Sequence, residues 1–142
     1  MNISKNITYY EATKSQTALR NGIENIPSGE DMERMKRVAE LCFEPIRAWH
    51  GKPLAVSSFF RSYDLNEEIG GSETSDHIKG CAIDIDADVF NNGVTNAEIF
   101  QWALENLEFD QLIWEFGNDK NPAWVHISYR TKETNRNQVL KY

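Results

Sequence analysis

Cysteine is scarce, with Cys42 and Cys81 the only two in 142 residues. Two thiols cannot build a zinc-finger framework or the disulfide scaffold of a small secreted domain, so a pair of reduced, buried thiols is expected. Basic residues are also short: 15 lysines and arginines face 22 acidic residues, giving a net charge of −7. That balance argues against a general nucleic-acid binder, because phosphate affinity needs a basic surface. No stretch of 18 apolar residues exists, so no membrane insertion is expected. The opening MNISKNITYYEATKSQ lacks the apolar core of a secretory signal. Synthesis in the cytoplasm is expected, with some other export route to any target outside the cell. No internal repeat, low-complexity segment or linker interrupts the chain, and residues 1–142 read as one domain. A domain of this size buries roughly 68–70% of its unfolded surface and holds a core without disulfides.

Helix signals dominate the first third. Thr8 and Glu11 form a capping box, which predicts a helix from Tyr9 that fades near Asn21-Gly22. Ser28 and Asp31 open a second helix, in which Met32, Met35, Ala39, Cys42, Phe43, Ile46 and Trp49 recur at helical spacing. Pro45 lies inside that pattern and predicts a kink or a lost backbone hydrogen bond near Leu41. His50-Gly51 and Pro53 mark its end. Leu54–Phe60 reads as a strand, and residues 62–80 as a long polar loop of the kind that carries function. Cys81–Asp88 alternates, with Ala82, Asp84, Asp86 and Asp88 on one face and Cys81, Ile83, Ile85 and Ala87 on the other. Thr95 and Glu98 cap a third amphipathic helix. Gln111–Phe116 and Trp124–Tyr129 form a hairpin around GNDKNPA, and Gln138–Lys141 offers a short edge strand. The order implies an α+β domain with a small antiparallel sheet and helices packed on one side.

Chemistry concentrates in three residues. His77 and Asp84 lie seven positions apart in SETSDHIKGCAIDID, and His126 follows in AWVHISY. Two histidines and one carboxylate are a common protein ligand set for one catalytic Zn²⁺, with the fourth position left to water. Such a site does hydrolytic chemistry. If Gly117 and Trp124 flank the hairpin turn, Glu115 stands directly opposite His126, where a general base belongs. A slip of one residue would send Glu115 to the other face; Asp119, in the turn, is the next candidate. Each residue alone has a plainer reading: His77 as a solvated loop residue, Asp84 and Glu115 as exposed strand carboxylates, Arg61 as half of a surface ion pair. Asp84–Asp88 is not an EF-hand loop, because its sixth and twelfth positions hold Val89 and Thr95. His50 reads as a helix-end residue.

The segments SFFRS (58–62), SDHIKGCAIDID (75–86) and FDQLIWEF…WVHIS (109–128) resemble the zinc D-Ala-D-Ala carboxypeptidase family. Its wider group includes the hedgehog signalling domain and bacteriophage cell-wall peptidases. Ser75, His77, Gly80, Ala82 and Asp84 match the family segment SxHxxGxAxD, and the resemblance spans about Met32 to Ser128. It implies zinc bound by His77, Asp84 and His126, Arg61 holding substrate carboxylate or carbonyl groups, and Ser75 shaping the site. Two positions depart from the pattern. Ala123 stands where many members carry an acid three residues before the last histidine, so Glu115 replaces it, in a hedgehog-like arrangement. Trp124 stands where some members carry another histidine, which implies a more aromatic, substrate-contacting cleft.

The resemblance implies a monomeric zinc peptidase acting on the peptide stems of bacterial peptidoglycan, either D-Ala-D-Ala carboxypeptidase-like or endolysin-like. The missing signal and missing wall-binding module fit a phage lysis enzyme. An L-Ala-D-Glu endopeptidase is an alternative, and so is a non-catalytic module that keeps zinc for structure. Structural zinc sites are usually closed by four protein ligands, whereas three are counted here.

Overall fold

The computed structural model describes residues 1–142. A short ribbon opens the chain, β1 (Asn2–Ser4) with β2 (Ile7–Thr8), and buries Ile3 and Ile7. It is an addition to the elements expected from the sequence. Glu44 holds the ribbon's turn by accepting from Ser4 Oγ at 2.5 Å and from the Asn6 backbone at 2.8 Å. The expected first helix is two helices, α1 (Tyr9–Thr13) and α2 (Gln16–Asn21). Thr8 and Glu11 make the capping box of α1, but Lys14 adopts extended backbone and Ser15 caps a fresh start.

The long second helix is also divided. Its first part, α3 (Gly29–Val38), begins at the Ser28–Asp31 capping box. The widened turn Ala39–Phe43 follows, in which the Glu44 N–H reaches the Ala39 carbonyl, and α4 (Glu44–His50) completes the run. The cause is Pro45, which has no N–H for the Leu41 carbonyl and whose ring crowds that turn. The helix resolves the conflict by accommodating a π-type turn just ahead of the proline. Gly51, at φ +77°, ends α4 in the left-handed conformation.

Five strands form the main sheet: β3 (Ala55–Ser58), β4 (Ala82–Asp86), β5 (Gln111–Glu115), β6 (Trp124–Ser128) and β7 (Gln138–Lys141). Their order is β3-β4-β6-β5-β7. Four strands are antiparallel, and β7 adds to the edge of β5 in parallel. The α+β class holds, with the parallel edge as a difference from an all-antiparallel sheet. One sheet face carries Ile83, Ile85, Leu112, Val125 and Ile127, which join Met35, Phe43 and Ile46 from the long helical run and Ile99 from α6 (Asn96–Asn106) in a single core. The other face carries Asp84 and His126, so the site lies on the side of the sheet turned away from that core. Cys42 and Cys81 are free and buried, and burial pushes the Cys42 thiol up to about 12. No helix is long and apolar enough to cross a membrane.

Residues 62–80 are more ordered than a loop. Ser62 caps α5 (Tyr63–Glu68), and Ser75 caps a 3₁₀ turn at Asp76–Lys79. The C-terminal tail is anchored by Asp110, which is fully buried and accepts from Arg136 Nη2 at 2.7 Å, with Arg130 Nε at 3.3 Å. Burial raises the Asp110 carboxyl, but hydrogen bonds from Arg136 and the nearby Arg130 and Arg136 charges outweigh it and hold the group below the usual carboxylate range. A depressed native value gives stability above the unfolded value of about 3.9, and that stability fades as pH falls through the lower native value. Asp110→Ala is therefore expected to lose about 2–3 kcal/mol at pH 7. Denaturant melts of both proteins should show the gap narrowing below about pH 4. A gap unchanged at pH 2.5 would mean that the loss is packing rather than charge.

Candidate metal centre

Strand pairing brings two of the three candidate ligands together. Asp84 on β4 is the direct partner of His126 on β6, and directly opposed residues project on the same face. His126 Nδ1 lies 3.0 Å from Asp84 Oδ1. The third residue, His77, comes from the 3₁₀ turn just before β4. Ser75 Oγ accepts from the His77 N–H at 3.2 Å, and Gly80, at φ +75°, turns the chain into the strand. A side chain at Gly80 would also run into Met35, so both backbone and space require glycine there.

The segment Phe59–Arg61 then locks the ring of His77. The Phe59 carbonyl lies 2.6 Å from His77 Nδ1 and can only accept, so Nδ1 donates to it and Nε2 is the ring nitrogen turned toward Asp84. In return, the Arg61 N–H donates to the His77 carbonyl at 3.1 Å. His77 Nε2 is buried and has no hydrogen-bond partner, although Asp84 Oδ2 lies 3.3 Å away. Two such atoms facing each other in a buried site need a proton or a metal cation between them. Donor atoms of His77, Asp84 and His126 all fall within 4.8 Å of one another. The orphaned nitrogen and the two-imidazole, one-carboxylate donor set fit a zinc ion. Burial pushes the Asp84 carboxyl up, but the two imidazoles outweigh it and hold the group well below the usual range. The carboxylate is thus ionised and ready to ligate.

Glu115 reaches the same face by a different register from the one expected. It pairs with Trp124, and Ile113 is the residue opposite His126. Phe116 and Gly117 are both left-handed, at φ +54° and +71°, and leave the ladder early. The turn is therefore two residues longer than expected. A two-residue offset preserves the face, because side chains alternate with period two. Burial raises the Glu115 carboxyl, with Asp84 adding to the shift and His126 and Arg61 opposing it. A half-buried carboxyl raised in this way is suited to proton transfer near neutrality. Asp119 does not share this position: it is fully exposed in the turn, 4.0 Å from Lys141 Nζ.

Arg61 is half-buried. Its guanidinium is shifted down by desolvation, while the charges of Asp84 and Glu115 favour its ionised form. It makes no ion pair, which removes the plainer surface-pair reading. Nη1 donates to Asn66 Oδ1 at 3.2 Å, and Nε is buried without a partner. Trp124 is half-buried beside Glu115 and packs edge-on against the exposed Phe116, with ring centroids 5.4 Å apart. A cavity of about 670 Å³ lies between α1, α2 and α5, and of these site residues it touches only Arg61. His50 bonds to Asn92 at 2.7 Å, as befits a helix-end residue.

Two supporting residues were not expected from the sequence. Asp76 pairs with Arg130 at 3.2 Å and ties the His77 turn to the end of β6. Asn66 is only 2% exposed, inside the segment read as a loop. The Ser62 cap followed by YDLNEE was the available signal for that helix. A family model described as Peptidase M15 matches residues 5–128. No curated protein matches the chain.

Proposed function

The chain belongs to the M15 peptidase family, whose members are metallopeptidases and typically zinc-dependent, and from that premise we propose that it hydrolyses the peptide stems of bacterial peptidoglycan with one zinc ion held by His77, Asp84 and His126. The observation that carries the metal assignment is the buried, unpartnered Nε2 of His77 facing Asp84. When bound, zinc supplies Lewis acidity and lowers the pKa of a water to about 7. Glu115 takes the proton of the attacking water and returns it to the leaving amine. Arg61 holds a substrate carboxylate or carbonyl with its uncommitted guanidinium edge. Ser75 fixes the backbone of His77, and Trp124 walls the cleft beside Glu115. On this reading the protein is a monomeric cell-wall hydrolase of the D-Ala-D-Ala carboxypeptidase or endolysin type. Three protein donors, rather than the four that usually close a structural site, favour catalysis over a purely structural ion.

Mass spectrometry of purified peptidoglycan fragments incubated with the zinc-loaded protein tests the substrate class. Loss of a terminal D-Ala marks a carboxypeptidase, and a cut between L-Ala and D-Glu marks an endopeptidase. If no stem peptide is cleaved, the substrate assignment fails.

Arg61→Ala is expected to lower kcat/KM by roughly tenfold to over a hundredfold, the value of a charge-assisted contact of about 1.5–3 kcal/mol. Arg61→Lys should restore only part of it, because lysine lacks the planar fork. Steady-state kinetics on a stem peptide decide the matter. Unchanged efficiency in Arg61→Ala would show that substrate is held elsewhere.

A further inference from the structure

We propose that Asn66 is a positioning residue that presents Nη2 of the Arg61 guanidinium to the substrate; this rests on the reading of Arg61 as a substrate-holding residue. A long arginine side chain has many rotamers to lose, so it needs an anchor to hold its guanidinium in one place. Asp84 and Glu115 both attract Arg61 electrostatically, and an unheld guanidinium would be drawn toward them. Asn66 supplies the anchor. Its Oδ1 accepts from Nη1 at 3.2 Å, and its Nδ2 donates to the Ser72 carbonyl at 2.9 Å. Its backbone is bonded on both sides, N–H to the Ser62 carbonyl and C=O from the Gly71 N–H, each at 2.9 Å. A buried amide with both ends committed has no freedom to rotate away.

The choice of atom matters. Nη1 is the guanidinium nitrogen remote from the edge formed by Nε and Nη2. With Nη1 taken and Nε buried, Nη2 is the guanidinium nitrogen left for a ligand, and it makes no intramolecular hydrogen bond. An N–H of this charged group donates a strong, short hydrogen bond to a substrate carboxylate or carbonyl oxygen. An amide, unlike a carboxylate, holds the cation without neutralising it. Gly71 completes the device: a Cβ there would overlap Asn66 Oδ1 and lie 3.0 Å from Arg61 Nη1. Glycine is required at this position for space, because its backbone is not left-handed.

A double-mutant cycle on the full-length, zinc-loaded chain tests the proposal, using a stem peptide as substrate and circular dichroism to confirm folding. Asn66→Ala is expected to lower kcat/KM about tenfold, as loss of a buried hydrogen bond to a charged group does, mainly through KM. In the Arg61→Ala background it should cost nothing further. An equal loss in both backgrounds would show a general structural role and overturn the proposal, as would parental efficiency in Asn66→Ala. If Asn66→Ala does not fold, Gly71→Ala displaces the same amide and takes its place in the cycle: a loss confined to the Arg61 background supports the proposal, and an equal loss in both overturns it. Should Arg61→Ala itself keep full efficiency, the assignment of Arg61 fails instead, and this outcome is distinct from a failure of Asn66.

Discussion

Glu115→Gln is expected to abolish most of the hydrolysis, by about 10²–10⁴-fold, while zinc content stays at the parental level. The amide keeps the size and the hydrogen-bonding oxygen but cannot take a proton. Glu115 lies at the end of β5, on the face of His126 but paired with Trp124, so its replacement leaves the donor set intact. Its raised carboxyl places it nearer neutrality than an exposed glutamate, and Gln removes that function alone. The expected signature is a fall in kcat with KM nearly constant, since the interaction is made chiefly in the transition state. Metal analysis of the same sample is the control. Full turnover with full zinc would show that another group takes the proton.

His77→Ala should have an equally large effect by another route, emptying the metal site. Altering only a residue that supports a metal ligand typically costs 10–100-fold in affinity or activity, and loss of a ligand should exceed that. Elemental analysis is expected to fall from one zinc per chain to near none, with activity falling in parallel. Stability supplies an independent reading. A ligand at a hundredfold its Kd stabilises the native state by about 2.7 kcal/mol, so added zinc should raise the Tm of the parent and a chelator should lower it. In His77→Ala both responses should vanish. A variant that kept its zinc and its metal-dependent Tm would remove His77 from the donor set.

Much of this arrangement is local and therefore visible in the residues. Capping boxes are contained within four residues, which is why those at Thr8, Ser28 and Thr95 could be read directly. Alternation along Ala82–Asp86 assigns Asp84 to one face whatever lies beside the strand. The consequence of Pro45 follows from its missing N–H, although the form it takes, a widened turn rather than a bend, depends on how the helix packs.

What the sequence could not decide is whatever depends on two distant segments meeting. The pairing of Glu115 with Trp124 rather than His126 is set by two consecutive left-handed residues, and a left-handed Phe116 has no local signature. The helix at Tyr63–Glu68 is one of polar residues and only six long, too short to stand without its neighbours. The parallel pairing of β7 depends on the Asp110 anchor, formed with Arg136 twenty-six positions away. The sequence by itself determined the α+β class, the family, and the candidate trio His77, Asp84 and His126. Only the tertiary structure decided which residues stand opposite one another across the strands and which nitrogen is left without a partner. Periodicity is a property of one segment, whereas register and desolvation arise only when segments pack together.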